Sequence, residues 1–220
     1  MICIIPARGG SKRIPQKNTR LFDNEPIVTR AIKLAKQIFT TVAVSTDDYY
    51  TREIAESLYA DYVPRSEYAS TDKAELEDVV MEVLEYYGDG FDTACLLLPT
   101  GVFSTEKDIM KAIKKVDSGY ADLAYSVTEY DHPVQRALAV RGGKVQAAFS
   151  MANTQDFEVM YHDAGQFYVF DITAFVQSWK RGIRILQMEA VPIILEPNRC
   201  HDIDTLADWA IAEMKWEAMK

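Results

Sequence analysis

Two short segments hold the residues whose types and spacing could do chemistry. The first is PARGGSKRIPQKN, residues 6–18, which gathers Arg8, Lys12, Arg13 and Lys17 around Gly9 and Gly10, with Arg20 just beyond. Glycine lets backbone approach a ligand closely, and successive amide N–H groups can cradle an anion. The segment lacks the GxGxxG turn of a dinucleotide site and the GK[ST] ending of a P-loop. What remains is a glycine hinge with cations, suited to a triphosphate or pyrophosphate. A solvated basic loop is the plain alternative.

The second segment is HDIDT, His201 to Thr205. Asp202 and Asp204 are two residues apart, so extended backbone turns both carboxylates the same way. Two like charges held together call for a cation between them. Mg²⁺, a hard ion that takes one or two carboxylates plus phosphate oxygens, suits that arrangement. A competing reading makes Asp204 or Thr205 the N-cap of the closing helix, and spacing alone leaves both open. Taken together, a basic glycine loop and a metal carboxylate pair describe nucleotidyl transfer, in which catalysis is mostly positioning and charge stabilisation.

The remainder of the chain limits the alternatives. It has 220 residues, a formal net charge of -9, 48% hydrophobic and 26% charged content, the profile of one soluble globular domain. An acidic balance argues against nucleic acid as a partner, because such binders show a basic face. It leaves room for a local anion site, since the local field decides that. Cys3, Cys95 and Cys200 are widely spaced without a CxxC, which predicts reduced thiols in a cytoplasmic protein. No apolar run approaches the roughly 20 residues that cross a bilayer, so no membrane partner is expected.

The elements that must position these groups follow a βαβ pattern, short apolar runs alternating with amphipathic ones. ICII reads as a first buried strand, which puts the basic loop at its carboxyl end, where α/β folds place ligands. PIVTRAIKLAKQIF follows as a helix with Ile27, Ala31, Leu34 and Ile38 on one face. VAVS, DYV, TACLLL, DLAYSV, GQFYVF and AVPIILE read as further strands. Helices are expected up to about Ala60, over ELEDVVMEVLEYY, and over LADWAIAEMKWEAM with Leu206, Ala210 and Met214 along one side. ALAVRGGKVQAAF, with Gly142-Gly143 at its centre, predicts a β-hairpin. The expected architecture is therefore an α/β, Rossmann-like three-layer fold with a mostly parallel sheet. It forms one domain over 1–220, with an antiparallel insert at 128–162.

IIPARGGSKRIPQKN resembles the opening motif of the cytidylyltransferases that activate nine- and eight-carbon ulosonic acids. VSTDD, VPRSEYAS and DIDTLADW fall in that family's order and spacing, and the likeness runs nearly end to end. GGSKRIP, HPVQRAL and YHDAGQFY are most similar to its pseudaminic acid branch. The resemblance implies transfer of CMP from CTP to a nonulosonic acid, with Mg²⁺ required. Matched to the family's motifs, Arg8 and Lys17 are the phosphate-binding and transition-state cations, and Lys12 holds the leaving pyrophosphate. Ala7, Gly9, Gly10 and Ser11 complete the nucleotide loop, Asn18 contacts ribose, Arg65 lies beside cytosine, and Asp202 and Asp204 hold the metal.

Leu98 stands where sialic-acid relatives carry a substrate-contacting glutamine, which speaks against N-acetylneuraminic acid as acceptor. On the strand near the insert, Gln166 and Tyr168 are candidates for the acceptor sugar, because an amide inside an apolar strand needs a partner. Asp163 either caps a turn or holds the sugar. His132, His162 and His201 are not expected to be catalytic. By resemblance the 128–162 insert pairs two chains into a homodimer, with Phe149, Met151, Phe157 and Met160 suited to the contact.

Overall fold

Alternation along the first strand decides how the sheet is covered. In the computed structural model, which describes residues 1–149 and 157–220, β1 (Ile2–Pro6) is buried on both sides. Ile2 and Ile4 enter one apolar core, and Cys3 and Ile5 enter another. The chain continues through β2 (Leu21–Phe22), β3 (Glu25–Pro26), α1 (Ile27–Ile38), β4 (Thr41–Thr46), α2 (Tyr49–Ser57), β5 (Asp61–Pro64) and α3 (Leu76–Tyr87). It then forms β6 (Thr93–Leu97), α4 (Glu106–Asp117), β7 (Leu123–Glu129), β8 (Leu138–Arg141), β9 (Lys144–Ala147), β10 (Tyr161–Asp171), α5 (Ile172–Lys180), β11 (Val191–Leu195) and α6 (Leu206–Glu217).

Seven strands form one sheet in the order β11-β7-β10-β6-β1-β4-β5. All neighbouring pairs run parallel except the two made by β10, which is antiparallel to both β6 and β7. Val28 and Ile32 of α1 and Ile109 and Ile113 of α4 cover the face carrying Cys3 and Ile5. Val80 and Val83 of α3 and Phe175 of α5 cover the other. Burial on both faces explains why β1 and β6 read as unbroken apolar runs rather than alternating ones. The thiols of Cys3, Cys95 and Cys200 are free and buried.

Helix starts are marked by side chains that accept the otherwise orphaned first-turn amides. Asp48 accepts from the Thr51 amide at 2.7 Å, Asp171 from Ala174 at 2.8 Å, and Thr205 from Asp208 at 3.3 Å. The hairpin of β8 and β9 turns at Gly142 and Gly143, with φ of 56° and 74°. Left-handed backbone at both turn positions matches the twist of a two-residue hairpin and favours glycine. Among the described residues, no helix is long and apolar enough to cross a membrane.

Two features differ from the sequence reading. Helices α4 and α5 had no assignment there. In α6 the apolar side that carries Leu206, Ala210 and Met214 faces solvent: Leu206 is 52% and Met214 73% exposed, and Ala210 is exposed too. Trp209 and Ala212 are buried instead, with Trp216 packed beside them. Trp209 and Trp216 lie edge-on to Phe22 at 5.8 and 6.0 Å. Two indoles bury more apolar area than a leucine and a methionine, so they decide which side turns inward.

Candidate active site

The basic loop leaves the carboxyl end of β1, continuing it through the Ala7 amide, which donates to the Ser45 carbonyl at 2.9 Å. Gly9 passes so close to the start of α2 that an added Cβ would meet the Cβ of its N-cap Asp48 at 3.0 Å. Its amide donates to Asp47 Oδ1 at 2.7 Å. Gly10 has open space around it. Asn18 is nearly buried and donates from Nδ2 to the Arg8 carbonyl at 2.9 Å, so here it braces the loop backbone.

Each loop cation has a definite partner. Arg8 and Lys12 both pair with Asp72, at 2.8 and 2.6 Å. Arg13 pairs with Asp204 at 2.7 Å. Lys17 Nζ donates to the Ile203 carbonyl at 2.7 Å and lies 4.0 Å from Asp204. Burial lowers the Lys17 pKa, while Asp204 and Asp202 oppose that shift. Ile14 of the loop and Ile203 are both fully buried in one apolar cluster with Phe22, Phe103 and Trp209.

A cleft of about 570 Å³ opens over this loop, a volume in the range of small-ligand sites. Arg8, Ser11, Lys12, Asn18 and Arg65 of the expected nucleotide set line it, together with Lys17 and Leu98, whereas Ala7, Gly9 and Gly10 are not among its lining residues. Arg65 donates through Nε to Ser45 Oγ at 3.2 Å and through Nη1 to the Ala69 carbonyl at 3.4 Å. Its buried Nη2 has no partner, and burial pushes its pKa down to about 10. A desolvated guanidinium with a donor to spare fits a ligand that supplies an acceptor.

Asp202 and Asp204 are not among the residues that line the cleft; Asp204 reaches it through Arg13 and Lys17, which do line it. Thr205 is the N-cap of α6, in a reciprocal box with Asp208, so neither aspartate is needed as the cap. Asp202 has no hydrogen-bond or ion-pair partner among the described residues; its side chain is open to solvent on one side, yet partial desolvation, then repulsion from Asp204, raises its pKa. An unpaired, charge-stressed carboxylate beside a second one fits a divalent cation. Among the described residues no group of three or more His, Cys, Asp and Glu could hold a metal, so a pair completed by ligand oxygens is the donor set that suits.

The cytidylyltransferase family model matches residues 2–173. The chain is a member of that family. The pseudaminic acid cytidylyltransferase of Campylobacter jejuni subsp. jejuni serotype O:2 is 32% identical, over 98% of this chain and 96% of the relative. CMP-N,N'-diacetyllegionaminic acid synthase of Legionella pneumophila is 29% identical, over 99% and 96%. The fold is shared with a CMP:2-keto-3-deoxy-manno-octonic acid synthetase solved with CTP. The TM-score there is 0.75 at 14% identity, covering 100% of this chain and 99% of that one.

In this cytidylyltransferase the three residues expected at the acceptor are engaged by the protein. Gln166 is fully buried; its Oε1 accepts from Ser104 Oγ at 3.0 Å and its Nε2 donates to the Arg199 carbonyl at 3.0 Å. Its partners are therefore internal. Asp163 caps the turn at Gly165, accepting from that amide at 2.9 Å, and also accepts from the Tyr168 hydroxyl. Tyr168 is buried and stacks on Tyr125 at 5.7 Å; burial, then Asp163, raises its pKa. Asp202 packs over Gly165, where an added Cβ would lie 3.7 Å from Oδ1. Sequence reasoning missed Asp72, Asp47 and the Ile203 carbonyl as partners of the loop, because each contact is made only by folding.

Proposed function

We propose that this protein transfers CMP from CTP to the anomeric hydroxyl of a nonulosonic acid, pseudaminic acid, releasing pyrophosphate. The observation that carries this reading is the junction at Lys17. One ammonium group joins the cationic cleft to the Asp202/Asp204 segment in a member of the cytidylyltransferase family. The choice of sugar is supported by the two pseudaminic acid cytidylyltransferases, 32% and 30% identical over 98% of this chain.

In this mechanism the loop receives the triphosphate. Arg8 and Lys12 are placed to take the outer phosphates, and Arg65 offers its unpaired donor to the nucleotide. The acceptor oxygen bonds to the α-phosphorus as its hydroxyl proton passes to solvent and the bond to pyrophosphate breaks, and negative charge grows on the leaving group. Fixed cations aimed at that charge lower the barrier without reorganising. Lys17, held by a backbone carbonyl, is such a cation. Mg²⁺ held by Asp202 and Asp204 would polarise the α-phosphate.

The 128–162 segment we read as the insert that joins two chains. Leu138, Val140 and Val145 of its hairpin are 64%, 74% and 64% exposed, and Phe149 and Met160 are exposed as well. Such a patch on a surface supports a protein contact. Phe157 is only partly exposed, and Met151 lies outside the described residues. Sedimentation should give twice the chain mass.

The test of function is pyrophosphate release with CTP and Mg²⁺, offering pseudaminic, N,N'-diacetyllegionaminic, N-acetylneuraminic and 3-deoxy-manno-octulosonic acids in parallel. Release with pseudaminic acid alone is the expected result. Release with another acid keeps the reaction and changes the sugar. CTP binding without release from any acid would leave a nucleotide-binding module.

A further inference from the structure

Asp72 lies in the segment between β5 and α3, far from the basic loop in sequence, yet its carboxylate spans two of that loop's cations. Oδ1 pairs with Arg8 Nη2 at 2.8 Å and Oδ2 with Lys12 Nζ at 2.6 Å. All three residues line the cleft. We propose that Asp72 is a specificity-determining counter-ion that occupies a phosphate's place on Arg8 and Lys12 in the free protein, so that only a highly charged phosphate chain displaces it. This rests on the reading of the cleft as a CTP site.

The surrounding acids have other work. Glu75 closes the capping box of α3 and pairs with Arg184 at 2.9 Å. Asp47 holds the Gly9 amide. Asp72 caps no helix, and the only hydrogen-bonding or ion-pair partners found for it among the described residues are Arg8 and Lys12. Its two oxygens, each on a different cation, reproduce how two oxygens of one phosphate group would sit. Lys12 is otherwise a free side chain, 81% exposed, and holding such a chain still costs rotamer entropy that an ion pair must offset.

The consequence is a threshold. Pairs this exposed are individually weak, so a triphosphate, with several more charges and oxygens for the same donors, replaces the carboxylate. A lone inorganic phosphate resembles Asp72 in geometry and exceeds it little in charge, so it gains little by exchanging places. The aspartate thereby keeps small anions off a site that must stay available to CTP.

Calorimetry with the full chain separates this from its alternatives. Asp72→Asn should bind CTP roughly three- to tenfold more tightly. Inorganic phosphate should compete with CTP in that variant at concentrations lower by a similar or larger factor. Asp72→Glu, which keeps the charge, should stay near wild type. Glu106→Gln, an equal change of net charge at an exposed position on α4, should leave both constants unmoved. If Asp72→Asn binds CTP and phosphate no more tightly than wild type, Asp72 belongs to the receiving site and the proposal fails. Equal shifts in Asp72→Asn and Glu106→Gln would reduce the effect to net charge and also overturn it. Wild-type protein that binds no CTP overturns this proposal together with the reading it rests on.

Discussion

Lys17 Nζ donates to the backbone carbonyl of Ile203 at 2.7 Å, and Ile203 is the residue that separates Asp202 from Asp204. This loop cation is therefore fastened to the carboxylate segment chiefly through main chain, with the Asp204 carboxylate farther off at 4.0 Å. Its ammonium keeps two further protons for a ligand, and its position does not depend on whether the aspartates are occupied.

In the proposed mechanism Lys17 serves the developing charge more than ground-state binding. Lys17→Met should lower turnover at saturating CTP by about a hundredfold or more, the scale for losing one preorganised electrostatic donor. CTP affinity should fall by less than about tenfold. Single-turnover rates and calorimetry measure the two separately, and equal losses in both would remove Lys17 from the chemical step.

Asp204 pairs with Arg13 and stands near Lys17 in the free protein, so removing it leaves two cations for CTP. Asp204→Ala should bind CTP at least as well as wild type and turn over at least a hundredfold more slowly. Titration of Mg²⁺ or Mn²⁺ into the CTP complex should show a weaker metal response. Unchanged turnover would take Asp204 out of the metal role.

Burial, then Asp204, holds the Asp202 pKa above the ordinary carboxylate value of about 3.9. The folded protein therefore binds that proton more tightly than the unfolded chain does. The associated stability is present below the unfolded value and lost as pH rises through the raised folded value. At neutral pH ionised Asp202 opposes folding of the metal-free protein. Asp202→Asn should raise its Tm at pH 7, with the gain fading as the pH falls toward the unfolded value. A variant melting no higher than wild type at pH 7 contradicts this.

Gln166 ties Ser104, after β6, to the Arg199 carbonyl, just before the carboxylate segment. Gln166→Leu keeps most of the volume but strands a hydroxyl and a carbonyl inside the protein. The expected cost is about 1–3 kcal/mol in urea unfolding. A variant as stable as wild type would show that water or a rearranged Ser104 makes good both bonds.

How much of this was legible in the sequence depended on how local each interaction is. The basic loop, the first strand and helix, and the Gly142-Gly143 hairpin are written in adjacent residues and were read correctly as elements. Helix α4 escaped because its buried side includes Asp108, which looks like surface until Arg199, far along the chain, arrives to pair with it. Helix α6 was found, but its packed side was not legible, since periodicity counts apolar positions equally while packing favours the indoles of Trp209 and Trp216. At the site, Arg8, Lys12 and Lys17 were visible as cations, but Asp72 was one acid among many. Gln166 announced correctly that it needed partners; only the fold could say that they were internal.

The apolar cluster that takes Ile14 from one loop and Ile203 from the other has a consequence for the catalytic cycle. During each turnover the charges above it change, as nucleotide arrives, pyrophosphate departs and the ion pairs exchange partners. A foundation made of ion pairs would shift its footing with every such exchange, and with the salt of its surroundings. Hydrocarbon contact has no charge to exchange and none for salt to screen. The spacing between the basic loop and the segment that bears the aspartates is thus set by oil, and the electrical traffic of the proposed reaction passes over a floor it cannot move.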